Sequence, residues 1–188
     1  MRCSTLLTVL AVATSAAAYN RAAAVAHAAK WYHTADHSCS TAYDACSPWS
    51  YWGEESCGYA SHGGDCANFL SQNLLAGGHP ALTKSPCRGY PCGKEEIGAA
   101  NLGSCLAKNY GWRSSCGAHA NPPADIAVGD ALIFHGASCS DEEAHATLVV
   151  YVGGDFIGLA AHSNDVFNRS YTEYAGEFGY YDWLHYAA

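Results

Sequence analysis

The chain has 188 residues, a formal charge of −8, and a composition that is 49% hydrophobic but only 14% charged. A chain of this length can bury a proper hydrophobic core in one domain, and the low charge with 5 Trp and 13 Tyr excludes a disordered protein. An acidic chain without a run of Lys or Arg is also a poor ligand for nucleic acid, so we expect no nucleic-acid partner.

Residues 1–18 have the pattern of a secretory signal peptide. Arg2 supplies a positive start, residues 6–13 are apolar, and residues 16–18 read Ala-Ala-Ala, an A-x-A cleavage site. No later stretch approaches the ~20 apolar residues of a membrane span. We therefore expect a secreted, extracellular monomer made of one domain, residues 19–188, with no membrane partner. Asn168 begins an Asn-Arg-Ser triplet and is a candidate for glycosylation.

Nine cysteines follow Cys3, which would leave with the signal peptide. Secretion favours disulfides, and because no C-x-x-C spacing occurs, zinc is disfavoured and no metal site is expected. An odd number leaves one thiol outside the bridges, and the surroundings of Cys66 single it out. The other eight are disulfide candidates whose pairing stays open: Cys39, Cys46, Cys57, Cys87, Cys92, Cys105, Cys116 and Cys139.

Three helices are predicted in the first part of the chain. Residues 19–32 are alanine-rich with a cap-like Asn20, and after a loop region at 33–62 a second helix is predicted over residues 66–76. The pair Gly77-Gly78 ends that helix. A second loop region covers 79–93, and a weaker helical pattern lies within 94–110.

Cys66 is predicted to open the second helix, after Gly63-Gly64-Asp65. Unpaired N–H groups at a helix start stabilise a thiolate and can later hold an oxyanion. These features favour a nucleophile at Cys66. The alternative is a buried structural cysteine that pairs with one of the other eight.

After residue 123 the pattern changes to short apolar runs rich in β-forming residues, at 131–134, 145–152, 156–162 and 180–186. Helices followed by an antiparallel sheet predict an α+β fold. His145 begins the second run and His162 ends the third, and only the turn Gly153-Gly154-Asp155 separates the two runs. Such a hairpin predicts that His145 and His162 lie together, provided that the register holds.

The segment Gly64-Asp65-Cys66-x-Asn68-Phe69-x-Ser71-Gln72 and its continuation to Gly78 closely resemble the motif of the putative amidase domain family. That family is related to the NlpC/P60 and CHAP groups of papain-like cysteine hydrolases. The resemblance extends from Tyr19-Asn20-Arg21 through Gly129-Asp130 to the two histidine segments. It implies a papain-like, NlpC/P60-type fold with N-terminal helices packed on an antiparallel sheet, here reinforced by disulfides.

The resemblance also implies roles for individual residues. Cys66 would be the nucleophile, His145 the general base and His162 the residue that orients His145, with Asn164 and Asp165 as alternatives for the third role. If His145 is not the base, His162 is the next candidate. No metal or organic cofactor is needed for this chemistry.

The predicted function is hydrolysis of amide bonds through an acyl-enzyme on Cys66, with a peptide or peptidoglycan-like amide as substrate. Two alternatives remain open. One is a catalytically silent, disulfide-rich binding or toxin-like protein on the same fold. The other is an acyltransferase, in which an amine replaces water on the acyl-enzyme.

Overall fold

The computed structural model describes residues 18–33, 66–79, 98–162 and 165–187. Its described part contains three helices: α1 (Arg21–Trp31), α2 (Cys66–Ala76) and α3 (Ala99–Tyr110). All three were predicted. Asn20 caps α1 as expected, since its side-chain oxygen accepts from the backbone N–H of Ala23 at 3.0 Å.

Six strands follow: β1 (Arg113–Ala118), β2 (Ala131–His135), β3 (Ala144–Gly153), β4 (Phe156–Ala161), β5 (Val166–Ser170) and β6 (Tyr180–His185). They form one antiparallel sheet in the order β1-β6-β2-β3-β4-β5, with a 3₁₀ helix at Tyr171–Tyr174. The α+β class is therefore confirmed. The prediction included the four inner strands and missed β1 and β5, which form the two edges of the sheet.

The sheet separates two hydrophobic clusters. The cluster on the helix side contains Cys66 and Phe69 of α2 together with the β3 residues Ala146 and Leu148. The cluster on the far side contains the neighbouring β3 residue Val149. The far cluster is completed by residues from several elements, Leu132, Phe134, Leu159, Tyr174, Tyr181 and Trp183 among them. Because side chains alternate along a strand, each residue of β3 is assigned to one face.

A buried carboxylate fixes the first helix to the sheet. Asp130, which has no exposed surface, accepts hydrogen bonds from Arg21 and from the backbone N–H groups of Ala127 (2.8 Å) and Tyr186 (3.1 Å). The ring Nδ1 of His185 lies 2.7 Å from the same carboxylate. These contacts join the chain before β2 to the start of α1 and the end of β6.

Gly129 makes this close approach possible. Its φ of +89° lies in the left-handed region, and a Cβ built on it would stand only 2.6 Å from Cβ of Arg21. A side chain at position 129 would therefore separate Arg21 from Asp130. The hydroxyl of Tyr19 donates to the carbonyl of Gly129 at 2.9 Å and strengthens the same junction.

The described residues include four of the nine cysteines that follow Cys3. Cys116 and Cys139 form a disulfide between β1 and the β2–β3 loop, and Cys105 is also disulfide-bonded, whereas Cys66 forms no disulfide bond. The candidates Cys39, Cys46, Cys57, Cys87 and Cys92 lie outside the described residues, as do residues 1–17 of the predicted signal peptide. None of the helices in the described ranges has the length and apolarity to span a bilayer.

A buried histidine lies where α2 ends. The Nε2 atom of His79 accepts a hydrogen bond from the indole N–H of Trp112 at 2.8 Å, and the rings of Tyr19 and Tyr186 surround it at 5.4 and 5.6 Å. Burial lowers the pKa of His79 from 6.5 to about 4. On the far side of the sheet, burial and the nearby positive charge of Arg169 also lower the pKa of His145 to about 4.

We expect the protein to lose stability as the pH falls from about 6.5 to about 4. The unfolded chain takes up protons on these histidines in that interval while the folded protein does not, so each of His79 and His145 costs on the order of 3 kcal/mol by pH 4. Above pH 6.5 their contribution is constant. Urea unfolding at pH 7, 6, 5 and 4 measures the effect.

His79→Gln should flatten this pH dependence, because a glutamine oxygen can accept from Trp112 without taking up a proton. The matched control is a Gln substitution at His33, which is exposed. Identical pH dependences for the parent and His79→Gln would contradict the prediction.

Candidate active site

Cys66 lies at the first position of α2 and is buried, with 6% of its surface exposed. The N–H groups of a first helical turn have no partner within the helix, so they can stabilise negative charge on a sulfur or oxygen placed there. The side chains of Cys66, Phe69 and Leu70 belong to the cluster between the helices and the sheet. The structure therefore agrees with the predicted helix position of Cys66.

His162 lies on the same side of the sheet as Cys66. Its ring stacks on the ring of Phe69, with 3.9 Å between centroids, and Phe69 is one helical turn after Cys66. Residues three apart on a helix are neighbours on one face. His162 is 2% exposed and follows the last residue of β4.

A backbone carbonyl orients the His162 ring. Nε2 of His162 lies 2.8 Å from the carbonyl oxygen of Trp31, the last residue of α1. A carbonyl can only accept, so Nε2 carries the proton of this hydrogen bond. In the neutral ring the basic lone pair then belongs to Nδ1.

His145 lies on the far side of the sheet. Its ring packs near those of Tyr174 (5.6 Å between centroids), Phe178 (6.1 Å) and Phe134 (6.4 Å), which belong to the cluster opposite the helices. Its Nε2 atom is buried and has no hydrogen-bond partner among the described residues. The structure thus does not bring His145 and Cys66 together.

The strand register explains this separation. The predicted hairpin of β3 and β4 is confirmed, and Leu148 pairs with Ala160. Continued to the strand ends, this register sets His162 opposite Ala146 rather than opposite His145. Because successive side chains point to opposite faces, Ala146 and His162 face the helices while His145 faces away. The prediction that His145 and His162 lie together is therefore wrong by one residue.

The other predicted residues lie in the segment after β4. Asn164 lies outside the described residues. Asp165 is partly buried and has a left-handed φ of +47°, in the turn that leads into β5. Asn168 is exposed on β5, where its side-chain amide covers Gly158. Because Asn168 is exposed, a glycosylating enzyme could reach it, and its glycosylation stays a prediction.

A second histidine on the helix side was not predicted. Nδ1 of His27, on α1, lies 2.7 Å from Oδ1 of Asn73, which is fully buried two turns after Cys66. Burial lowers the pKa of His27 despite this hydrogen bond, and the positive charge of Lys30 acts in the same direction. The spacing of Ala24, His27 and Ala28 along one helical face could have revealed it.

A known family model matches most of the chain. The model described as "Putative amidase domain" covers residues 18–182, a range that includes α1, Cys66, His145 and His162. The chain belongs to the putative amidase domain family. No curated protein matches the chain, and no solved structure does either.

Membership of this family indicates, at a general level, an enzyme that hydrolyses amide bonds. The described ranges of this amidase contain no group of three or more His, Cys, Asp or Glu side chains that could hold a metal ion. On the helix side they contain the thiol at the start of α2 and the imidazole of His162, which follows β4 and stacks on Phe69, one helical turn after that thiol.

Proposed function

We propose that this protein is a cysteine amidase in which Cys66 is the nucleophile and His162 is the general base. The observation that carries the proposal is the stacking of His162 on Phe69, one helical turn from Cys66 and on the same face of the sheet. The family assignment supports amide hydrolysis, and the thiol and the imidazole supply the two groups that a covalent mechanism requires.

The proposed reaction has two steps. Nδ1 of His162 takes the thiol proton of Cys66, and the thiolate attacks the carbonyl carbon of the amide while N–H groups at the start of α2 hold the oxyanion. His162 then returns the proton to the departing amine, which leaves an acyl-thioester on Cys66. A water molecule, deprotonated by His162, releases the acid and restores the thiol.

The carbonyl of Trp31 acts in this scheme as the group that orients the base. It holds the proton on Nε2 and so directs Nδ1 toward proton transfer, a role that a third side chain has in many Cys–His pairs. His145 is less suited to the task, because its pKa of about 4 is far from neutral pH and its ring lies across the sheet from Cys66.

We also propose that the enzyme acts outside the cell on peptide amides, those of peptidoglycan included. The disulfide between Cys116 and Cys139 supports an oxidising compartment. The signal-peptide pattern of residues 1–18 agrees with export. The class of substrate rests on the family alone.

Chemical modification tests the nucleophile directly. The protein, without reductant, is treated with iodoacetamide while the release of new amino groups from peptidoglycan and from plain peptides is followed. We expect alkylation at Cys66, located by peptide mass spectrometry, to proceed in parallel with loss of activity. Full activity after complete alkylation of Cys66 would rule out the mechanism.

Replacing the two histidines separately tests the base. His162→Ala should lower kcat by at least ~10²-fold, the low end of a general-base contribution. His145→Ala should change kcat only a few-fold, although the empty space left in the far cluster should lower the urea midpoint. The reverse result, with kcat lost in His145→Ala and kept in His162→Ala, would return the base to His145.

A further inference from the structure

A cavity of about 200 Å³ lies between α3 and the part of the sheet formed by β1, β6 and β2. It is on the helix side of the sheet but not beside β4, which precedes His162. Two buried side chains line it: Asp182 of β6 is 8% exposed and His135 of β2 is 3% exposed. Neither has a part in the proposed amidase reaction.

Asp182 presents a carboxylate whose hydrogen-bonding capacity is only partly used by side chains. One oxygen, Oδ1, accepts from the hydroxyl of Ser114 at 2.7 Å, and the backbone of Ser115 also donates to the carboxylate. A carboxylate has about four lone-pair positions, so acceptor capacity remains for a ligand. Burial raises the pKa of Asp182 because it disfavours the ionised carboxyl group. A positive charge bound in the cavity would stabilise that ionised form.

His135 presents an acceptor as well. Its Nδ1 atom lies 3.0 Å from the carbonyl oxygen of Asp141, so Nδ1 donates the proton of that bond. In the neutral ring the lone pair then lies on Nε2. Two buried acceptors therefore line one cavity.

The side chains that line the cavity indicate which kind of ligand would bind there. Two buried acceptors, one of them a carboxylate, favour a donor that carries positive charge, and the exposed Lys108 at the same cavity competes for this role. A metal ion is a poor fit, because Cys116 and Cys139, which also line the cavity, are joined in a disulfide, and the described residues hold no group of three or more His, Cys, Asp or Glu that could bind one. The cavity volume of about 200 Å³ suits a small organic cation.

We propose that this cavity binds a primary alkylammonium group of the kind carried by a lysine side chain. The ammonium would donate to Asp182 and to Nε2 of His135, and the methylene stem would lie against Ala100 and Ala107 of α3. This site goes beyond the proposed amidase function and does not depend on it.

Titration of the full-length protein with n-butylammonium chloride tests the site. Backbone amide NMR signals near His135 and Ser114 report binding at pH 7 and constant ionic strength, with n-butanol and NaCl as parallel titrants. We expect saturable shifts with butylammonium alone, at roughly millimolar concentration for so small a ligand. Equal shifts with butanol would overturn the proposal. Alaninamide is a further titrant, and weaker binding by it is expected because its ammonium has no unbranched stem.

Variants distinguish the site from general attraction to an acidic protein. Asp182→Asn should weaken binding at least about tenfold, as loss of a charged hydrogen bond requires. Asp125→Asn, which removes an exposed carboxylate with 52% of its side-chain surface accessible, should leave binding unchanged. Lys108→Met should strengthen binding, since exposed Lys108 lines the same cavity and its charge competes with the ligand. Equal effects of Asp182→Asn and Asp125→Asn would overturn the proposal.

Two further measurements keep the outcome interpretable. Circular dichroism establishes that Asp182→Asn is folded, and His135→Gln, expected to weaken binding several-fold, provides a second test. Unchanged affinity in both folded variants contradicts the site. Cys66→Ser protein should bind butylammonium as well as the parent does, so the failure of either proposal leaves the other intact.

Discussion

Replacing Cys66 with serine is expected to abolish amide hydrolysis while leaving the fold intact. A serine hydroxyl at this position stays protonated at neutral pH and is a weaker nucleophile than a thiolate. Cys66 begins α2 and forms no disulfide bond, so the replacement removes no covalent constraint from the fold. We expect kcat to fall by ~10³-fold or more.

The measurement compares initial rates of amine release by parent and variant on the same amide, with urea midpoints as the structural control. Ser71→Ala is a suitable matched variant, since Ser71 is also buried in α2 but lies more than one turn from Cys66. We expect Ser71→Ala to keep its activity. Parent-like turnover by Cys66→Ser would disprove the covalent mechanism.

Asp130→Asn is expected to destabilise the protein by about 3–5 kcal/mol, which is the cost of removing one partner from a buried ion pair. The change leaves the positive charge of Arg21 uncompensated, and it replaces one accepting oxygen by an NH₂ group. That NH₂ group would face donors, because Ala127, Tyr186 and Arg21 all donate to the present carboxylate. Against a typical total of about 5–15 kcal/mol, the loss is large.

Urea unfolding at pH 7 measures this effect. The control is Asp125→Asn, which breaks the exposed pair of Asp125 with Arg113, where both side chains are 52% accessible. Exposed pairs contribute little because water screens them, so the control midpoint should remain that of the parent. Similar midpoints for Asp130→Asn and the parent would show that the buried network is not a stabilising feature.

The inner parts of the fold could be predicted from local pattern. Apolar residues at helical spacing before Gly77-Gly78 predict α2. Continuous runs of β-forming residues predict β2, β3, β4 and β6. Central strands of a covered sheet are buried on both faces, which gives such runs. The edge strands gave no comparable signal. β1 has the sequence Arg-Ser-Ser-Cys-Gly-Ala and is largely exposed, so only pairing with β6 makes it a strand.

Local sequence pattern is enough to predict that a cysteine begins a buried helix and that two histidines lie at the ends of neighbouring strands. Which of the two histidines contacts the helix depends on how the strands pair in the folded protein. The side-chain period of a strand is two residues, so one step of register moves an imidazole from one face of the sheet to the other. The register of β3 with β4 shifts by one residue between Val149 and Tyr151, and beyond this irregularity Leu148 pairs with Ala160 in the cluster beneath the helices. Asp182 and His135 are far apart in sequence. They line one cavity only because β6 and β2 lie side by side in the folded protein, so local sequence pattern could not predict this site.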